Sequence, residues 1–133
     1  ILKEKNTSNK INFIYNEMDT QPNTWGNPGN NATNTQISNY SSQLLNLEKN
    51  TIDKIDLILI DGRFRVACCL KCHKLITDNC LIIFDDFLNR EQYHIVLDFF
   101  DIIDKTIDNR MVVLKKKQNK LDDLISKYEF IRD

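Results

Sequence analysis

Glycine and proline are scarce in this sequence, at three and two residues among 133. Asn, Ile, Lys and Asp are abundant instead, and we read that balance as a nucleotide-composition bias of the source genome. Charge of one sign is lacking as well. A formal net charge of −1 offers no electrostatic attraction to nucleic acid or to an anionic membrane, so neither is expected as a partner. No apolar run approaches the roughly 20 residues that span a bilayer. The opening Ile-Leu-Lys-Glu-Lys is not a signal peptide, and without an initiator Met the expectation is a fragment or a processed chain, cytoplasmic in location. What is present is a hydrophobic fraction of 41%, enough for the core of one small domain or part of one.

The four cysteines, Cys68, Cys69, Cys72 and Cys80, argue the same compartment. Three of them fall on one helical segment, where bridging geometry is poor, so they read as small core-filling thiols kept reduced. Cys69-Leu70-Lys71-Cys72-His73 has the spacing of a haem attachment site and a thiol cluster invites zinc. Their place between two core strands favours packing over either, and His73 reads as a helix-surface or half-buried residue. Asn6, Asn31 and Asn39 each begin an Asn-x-Ser/Thr triplet, expected by chance in so Asn-rich a chain.

The organising stretch runs from Ile55 to Phe87. Ile55–Ile60 is a short β-branched run suited to a strand buried on both faces of a parallel sheet. It ends in Asp61-Gly62. Val66–Ile76 carries a helical stripe of Val66, Cys69, Leu70 and His73, and Thr77-Asp78-Asn79 stops it. Cys80–Phe84 is a second strand, ending in Asp85-Asp86. A right-handed crossover makes the two strands parallel and sets Asp61, Asp85 and Asp86 side by side at the carboxyl edge, where open α/β sheets bind ligands.

Around this unit, Ile11–Tyr15 reads as a strand and Thr20–Ser38 as a long Asn/Gly/Pro-rich loop holding the only Trp. Trp25 is there either as an anchor for the loop or as a stacking surface. Tyr40–Asn50 and Asn89–Phe100 read as helices, the second with Asn89 as N-cap. Asp101–Ile107 and Met111–Leu114 form a hairpin around Asp108-Asn109. Lys115–Lys120 reads as a solvated exit, and Leu121–Phe130 as a short amphipathic helix. The expected fold is α/β: a Rossmann-like, mostly parallel sheet closed by a C-terminal antiparallel hairpin, in a single, partial domain spanning 1–133.

The order of elements resembles the C-terminal half of class I S-adenosylmethionine-dependent methyltransferases. Trp25-Gly26-Asn27-Pro28, Tyr40-Ser41, Asp61-Gly62-Arg63-Phe64-Arg65-Val66-Ala67-Cys68, and Asp85-Asp86-Phe87 with Asn89-Arg90 and Tyr93 resemble a methyltransferase-like group found beside polysaccharide and glycan synthesis. Ile60-Asp61-Gly62 with Ile83-Phe84-Asp85-Asp86-Phe87 is more distantly similar to metal-dependent sugar O-methyltransferases of the macrocin type and to the catechol O-methyltransferase arrangement. The resemblance implies S-adenosylmethionine as cofactor, with Mg²⁺ as a second one, and a small-molecule or glycan acceptor. The family's Gly-rich turn after its first strand and its acidic residue after the second are not found, and Gly26 and Gly29 lie in the long loop. The expectation is therefore that the N-terminal strands are missing and that another segment or domain of the same protein completes the site.

Methylating a hydroxyl requires the acceptor oxygen held in line with the methyl and relieved of its proton. Asp61, Asp85 and Asp86 would act as ligands of a divalent cation, or one of them as a general base with a raised pKa, or they merely cap helices and turns. Arg63 and Arg65 would bind a carboxylate or phosphate, as in a uronic acid or nucleotide-sugar diphosphate, or neutralise the aspartates. Arg90 and Tyr93 would line the acceptor side, Tyr93 being equally a core residue. Trp25 and Tyr40 are candidate stacking surfaces, and the resemblance places Asp19, with Asp61, near the donor's adenosine. Two other readings stay open: a non-catalytic Rossmann-like module of a glycan-assembly protein, and a nucleotide-sugar-dependent glycosyltransferase using Asp85-Asp86.

Overall fold

The computed structural model describes residues 11–121 and 124–132. Its centre is a four-stranded sheet built from β1 (Leu57–Ile60), β2 (Leu81–Phe84), β3 (Phe100–Lys105) and β4 (Val112–Lys116), in the order β1-β2-β4-β3. β1 and β2 are parallel, with Leu57 opposite Leu81 and Ile60 opposite Phe84. β4 inserts antiparallel between β2 and β3. The sheet is thus mixed α/β, with one parallel pair, rather than mostly parallel. The parallel pairing needs the crossover helix α3 (Arg65–His73), whereas β3 and β4 need only a tight turn, in which Asn109 takes a left-handed φ of 57°.

α3 covers one face. The sheet side chains of that face, Ile60, Ile82, Phe84, Val112 and Leu114, meet Val66, Cys69, Leu70 and Cys72 in one core with Phe87, Tyr93 and Val96. Each large apolar side chain buried there contributes about 1.5–3 kcal/mol. The opposite face departs from the expectation of a strand buried on both sides: Leu57 and Leu59 are 54% and 60% exposed. β1 is the edge strand among the described residues, and of its two faces only the one carrying Ile58 and Ile60 is packed there.

The helices flanking this core also differ from the periodicity reading. The loop ends at Thr33, not Ser38: Thr33 and Gln36 form a reciprocal capping box that starts α1 (Asn34–Ser41). The helix expected over 40–50 is α1 followed by a 3₁₀ turn, Gln43–Asn46, and the single turn α2 (Lys49–Ile52). Glu91–Asp98 is a 3₁₀ helix begun by Arg90 without a side-chain cap, so Asn89 is not its cap. Residues 11–15 form no strand and are exposed at Ile11, Phe13, Ile14 and Tyr15; they have no strand to pair with among the described residues. The basic run is not a free exit. Lys115 and Lys116 end β4, Lys116 Nζ donates to Ile76 O at 3.2 Å, and Lys117 Nζ donates to Leu97 O at 2.7 Å.

The C-terminal helix α4 (Leu124–Tyr128) is docked through Glu129, just past its end, in a partly buried ion pair with Lys71, Nζ to Oε1 at 2.6 Å, which also engages Ser38 Oγ. His73 is buried rather than superficial, with Nε2 3.0 Å from Lys117 O. No helix among the described residues is long and apolar enough to cross a membrane.

Candidate active site

The pairing of Ile60 with Phe84 brings Asp61 and Asp85 together, and the Asp85 N–H donates to Ile60 O at 3.0 Å. Asp85 points inward and is fully buried. Asp86 adopts a left-handed φ of 55°, a conformation Asp tolerates better than most residues, and its carboxylate stays at the rim. Asp61 is about half exposed, at 48% for its side chain. The three carboxyls expected at the carboxyl edge are therefore together, at three different depths.

Three guanidiniums meet them. Arg65, the first residue of α3, folds back so that Nε donates to Gly62 O at 2.8 Å and Nη1 to Asp85 O at 2.7 Å. It also lies 3.5 Å from Asp61 Oδ1, 3.8 Å from Asp85 Oδ2 and 3.5 Å from Asp86 Oδ2. Arg90 pairs with Asp86 Oδ2 at 3.1 Å and donates to Tyr93 Oη at 3.0 Å. Arg110, from the hairpin turn, donates to Asp85 Oδ2 at 2.9 Å and reaches Asp86 Oδ1 at 3.1 Å through Nε. Arg110 is the site residue that sequence reasoning missed. The signal was available in principle: once β4 runs antiparallel to β2 with Val112 opposite Phe84, residue 110 must overhang Asp85 and Asp86.

The electrostatics separate the two central carboxyls. With both ionised, Asp85 Oδ1 is buried without a donor. When Asp61 carries a proton, the two carboxyls hydrogen-bond. Partial burial, followed by the hydrogen bond and the negative charge of Asp85, pushes the Asp61 carboxyl above the ordinary range, against the opposing pull of Arg65 and Arg110. Burial pulls Asp85 up too, but the hydrogen bonds from Arg110 and Asp61 and the charge of Arg110 outweigh it and hold Asp85 below the ordinary range. The pair thus consists of an accessible, more basic Asp61 backed by a buried, ionised Asp85.

A cavity of about 730 Å³ opens over this rim, lined among others by Tyr15, Trp25, Tyr40, Asp61, Arg63, Arg65, Asp86, Arg90 and Arg110. That volume lies in the range of about 300–1,000 Å³ usual for small-molecule sites. Its upper wall is the Asp19–Gly29 loop, closed by Gly29 N–H to Asp19 O at 2.7 Å and Gln21 N–H to Asn27 O at 2.9 Å. Arg63 holds that loop down, donating to Thr24 O at 3.1 Å and to Trp25 O at 3.2 and 3.3 Å. Trp25 is 94% exposed, so its indole is not a buried anchor; the loop is fixed by its carbonyls. Tyr40 packs edge-on against Phe64 and its Oη accepts the Arg63 N–H at 3.2 Å. A side chain at Gly62 would run into that hydroxyl, which explains glycine there. The N-terminus of α3 also faces this space without a side-chain cap, adding positive potential.

Other expected residues stand elsewhere. Asp85 lies beneath the cavity floor. Tyr93 is completely buried in the core, where the Arg65 guanidinium covers its ring at 5.8 Å, so it does not line the acceptor side. Asp19 turns its carboxylate to its own loop, accepting the Asn31 N–H at 3.1 Å and closing against Gly29; it is not presented to a nucleoside. Asp61, Asp85 and Asp86 do not make a cation site either: each has an arginine partner, and among the described residues no group of three or more His, Cys, Asp or Glu is arranged to hold a metal ion. Mg²⁺ does not fit these residues as they stand. The thiols are no alternative. All four are free, and burial, then the neighbouring Cys68 and Cys80, push the Cys72 thiol up to about 12.

A solved structure of a methyltransferase-like protein from Silicibacter pomeroyi superposes with a TM-score of 0.72 at 22% sequence identity, over 90% of this chain and 61% of that one. The likeness establishes a methyltransferase-like fold, and this chain spans about three fifths of that protein. No protein-family model and no curated protein matches the chain.

Proposed function

We propose that this chain supplies the acceptor side of an S-adenosylmethionine-dependent methyltransferase acting on a hydroxyl of a sugar, glycan or other small hydroxylated molecule in the cytoplasm. The observation that carries the reading is the cavity over the Asp61–Asp85 pair, at the carboxyl edge of a parallel pair in a methyltransferase-like fold.

S-adenosylmethionine, when bound, would supply an electrophilic sulfonium methyl to the acceptor oxygen, its sulfur leaving as a neutral thioether. Asp61 receives the hydroxyl proton, its raised pKa making it a better base than an ordinary carboxylate. Asp85, held ionised by Arg110, accepts a hydrogen bond from the newly protonated Asp61 and stabilises it. Trp25 and Tyr40 offer aromatic surface on which a sugar ring rests. Arg63, by holding the Trp25 carbonyl, sets the height of that surface.

The described residues do not hold the donor's nucleoside end. Asp19 is engaged by its own loop and the chain has no Gly-rich turn. In this reading another part of the same protein provides that end, in keeping with the 61% coverage of the structural neighbour. That same observation favours a second reading, a non-catalytic module of a glycan-assembly protein, in which Asp61→Ala and Asp86→Ala would leave the whole protein's activity unchanged. Glycosyl transfer through Asp85-Asp86 gains no support, because both carboxylates are paired with arginine. Isothermal titration of the intact protein with S-adenosylmethionine tests the first reading. Binding that is indifferent to Mg²⁺ is expected; no heat at millimolar donor, with or without Mg²⁺, counts against it.

A further inference from the structure

We infer that the acceptor carries an anionic group, a carboxylate or a phosphate, seated on Arg110 and Arg90. The inference rests on the acceptor-site reading above and narrows it. Among the described residues, the charged ones lining the cavity are Arg63, Arg65, Arg90 and Arg110 against Asp61 and Asp86. Asp85, buried against Arg110 and Arg65, adds a third carboxylate, so four guanidiniums face three carboxylates. The cavity therefore keeps positive charge beyond what its own carboxylates neutralise. A neutral sugar would leave that excess uncompensated, whereas an anion balances it.

The roles among the arginines are distinct. Arg65 is tied to backbone carbonyls and to all three carboxyls, and Arg63 to the loop. Arg110 is different. Its side chain is 55% exposed, its Nη2 and Nε serve Asp85 and Asp86, and it lines the cavity. Asp86 bridges Arg110 and Arg90, from Oδ1 and Oδ2 respectively, so the two guanidiniums flank one carboxylate at the cavity edge. Planar guanidiniums set this way match the oxygens of a carboxylate or phosphate. Arg65 touches Asp61 on one side and Asp86 on the other, so an anion seated here lies across a single guanidinium from the proposed base.

Calorimetric titration of the intact protein with glucuronate, glucose 6-phosphate and glucose, all at low ionic strength, tests this. A charged hydrogen-bonded contact contributes about 1.5–3 kcal/mol, so at least one charged sugar should bind about tenfold or more tightly than glucose and weaken as salt is added. Which of the two binds identifies carboxylate or phosphate. Arg110→Gln should abolish the preference; if that variant is unfolded by circular dichroism, Arg90→Gln provides the same comparison. Equal affinity for charged and neutral sugars, or a preference unchanged in a folded variant, overturns the inference. Methyl transfer to a neutral acceptor without any charged-sugar preference would overturn it while leaving the proposed function standing.

Discussion

Arg65→Met removes the guanidinium that binds the rim together. The side chain is nearly buried, at 10% exposure, and its loss strips hydrogen bonds from Gly62 O and Asp85 O while leaving Asp61, Asp85 and Asp86 short of one positive charge. Removing one partner of a buried ion pair costs about 3–5 kcal/mol, a large share of the roughly 5–15 kcal/mol that holds a small domain folded. At about 3–5 °C per kcal/mol for a chain of this length, Tm should fall by about 10–20 °C. Arg110 still neutralises Asp85 in this variant, which places the expected loss at the lower end. Thermal and urea unfolding followed by circular dichroism read it. The double variant Arg65→Met/Asp85→Asn should recover about 1–3 kcal/mol, because the buried charge is gone. A Tm within about 2 °C of the parent, or a double variant showing the plain sum of both losses, would refute the electrostatic account of the rim.

Gly62→Ala should destabilise by about 1–3 kcal/mol because its Cβ meets Tyr40 Oη; adding Tyr40→Phe should restore part of the loss in the same unfolding assay. Glu129 is held below its ordinary value of 4.5 by hydrogen bonds from Lys71 and then Ser38. Its contribution is therefore fully present above the unfolded-state value and lost as pH falls through the lower folded-state one, so Glu129→Gln should flatten the stability-versus-pH curve in that acid window. Trp25→Ala should leave Tm within about 2 °C, since the indole is exposed, while weakening sugar binding several-fold by calorimetry through loss of about 0.5–1.5 kcal/mol of ring contact.

The central unit was legible because its signals are local. Two β-branched runs around a helical stripe define β1, α3 and β2 to within three residues, and parallel pairing then requires Asp61, Asp85 and Asp86 to share an edge. Depth was not legible. Whether an aspartate at a strand end points in or out depends on the partner supplied from elsewhere, and Arg110 arrives from a hairpin whose insertion between β2 and β3 is a long-range choice. That same insertion gave Asp85 and Asp86 an arginine partner, while Asp61 meets Arg65 of α3. Ile11–Tyr15 shows the opposite failure: strand composition with no neighbouring strand among the described residues yields no strand, since a strand needs a ladder to pair with. Asn34–Ser38 looked like loop by composition, yet the Thr33/Gln36 capping box gives its first turn a helical start.

Methyl transfer from labelled S-adenosylmethionine to a hydroxylated acceptor, by the intact protein and by its Asp61→Asn variant, addresses the account most directly. The variant should bind donor normally and lose about 10²-fold or more in kcat, the scale of a missing general base. Turnover of the variant within a few-fold of the parent would contradict it.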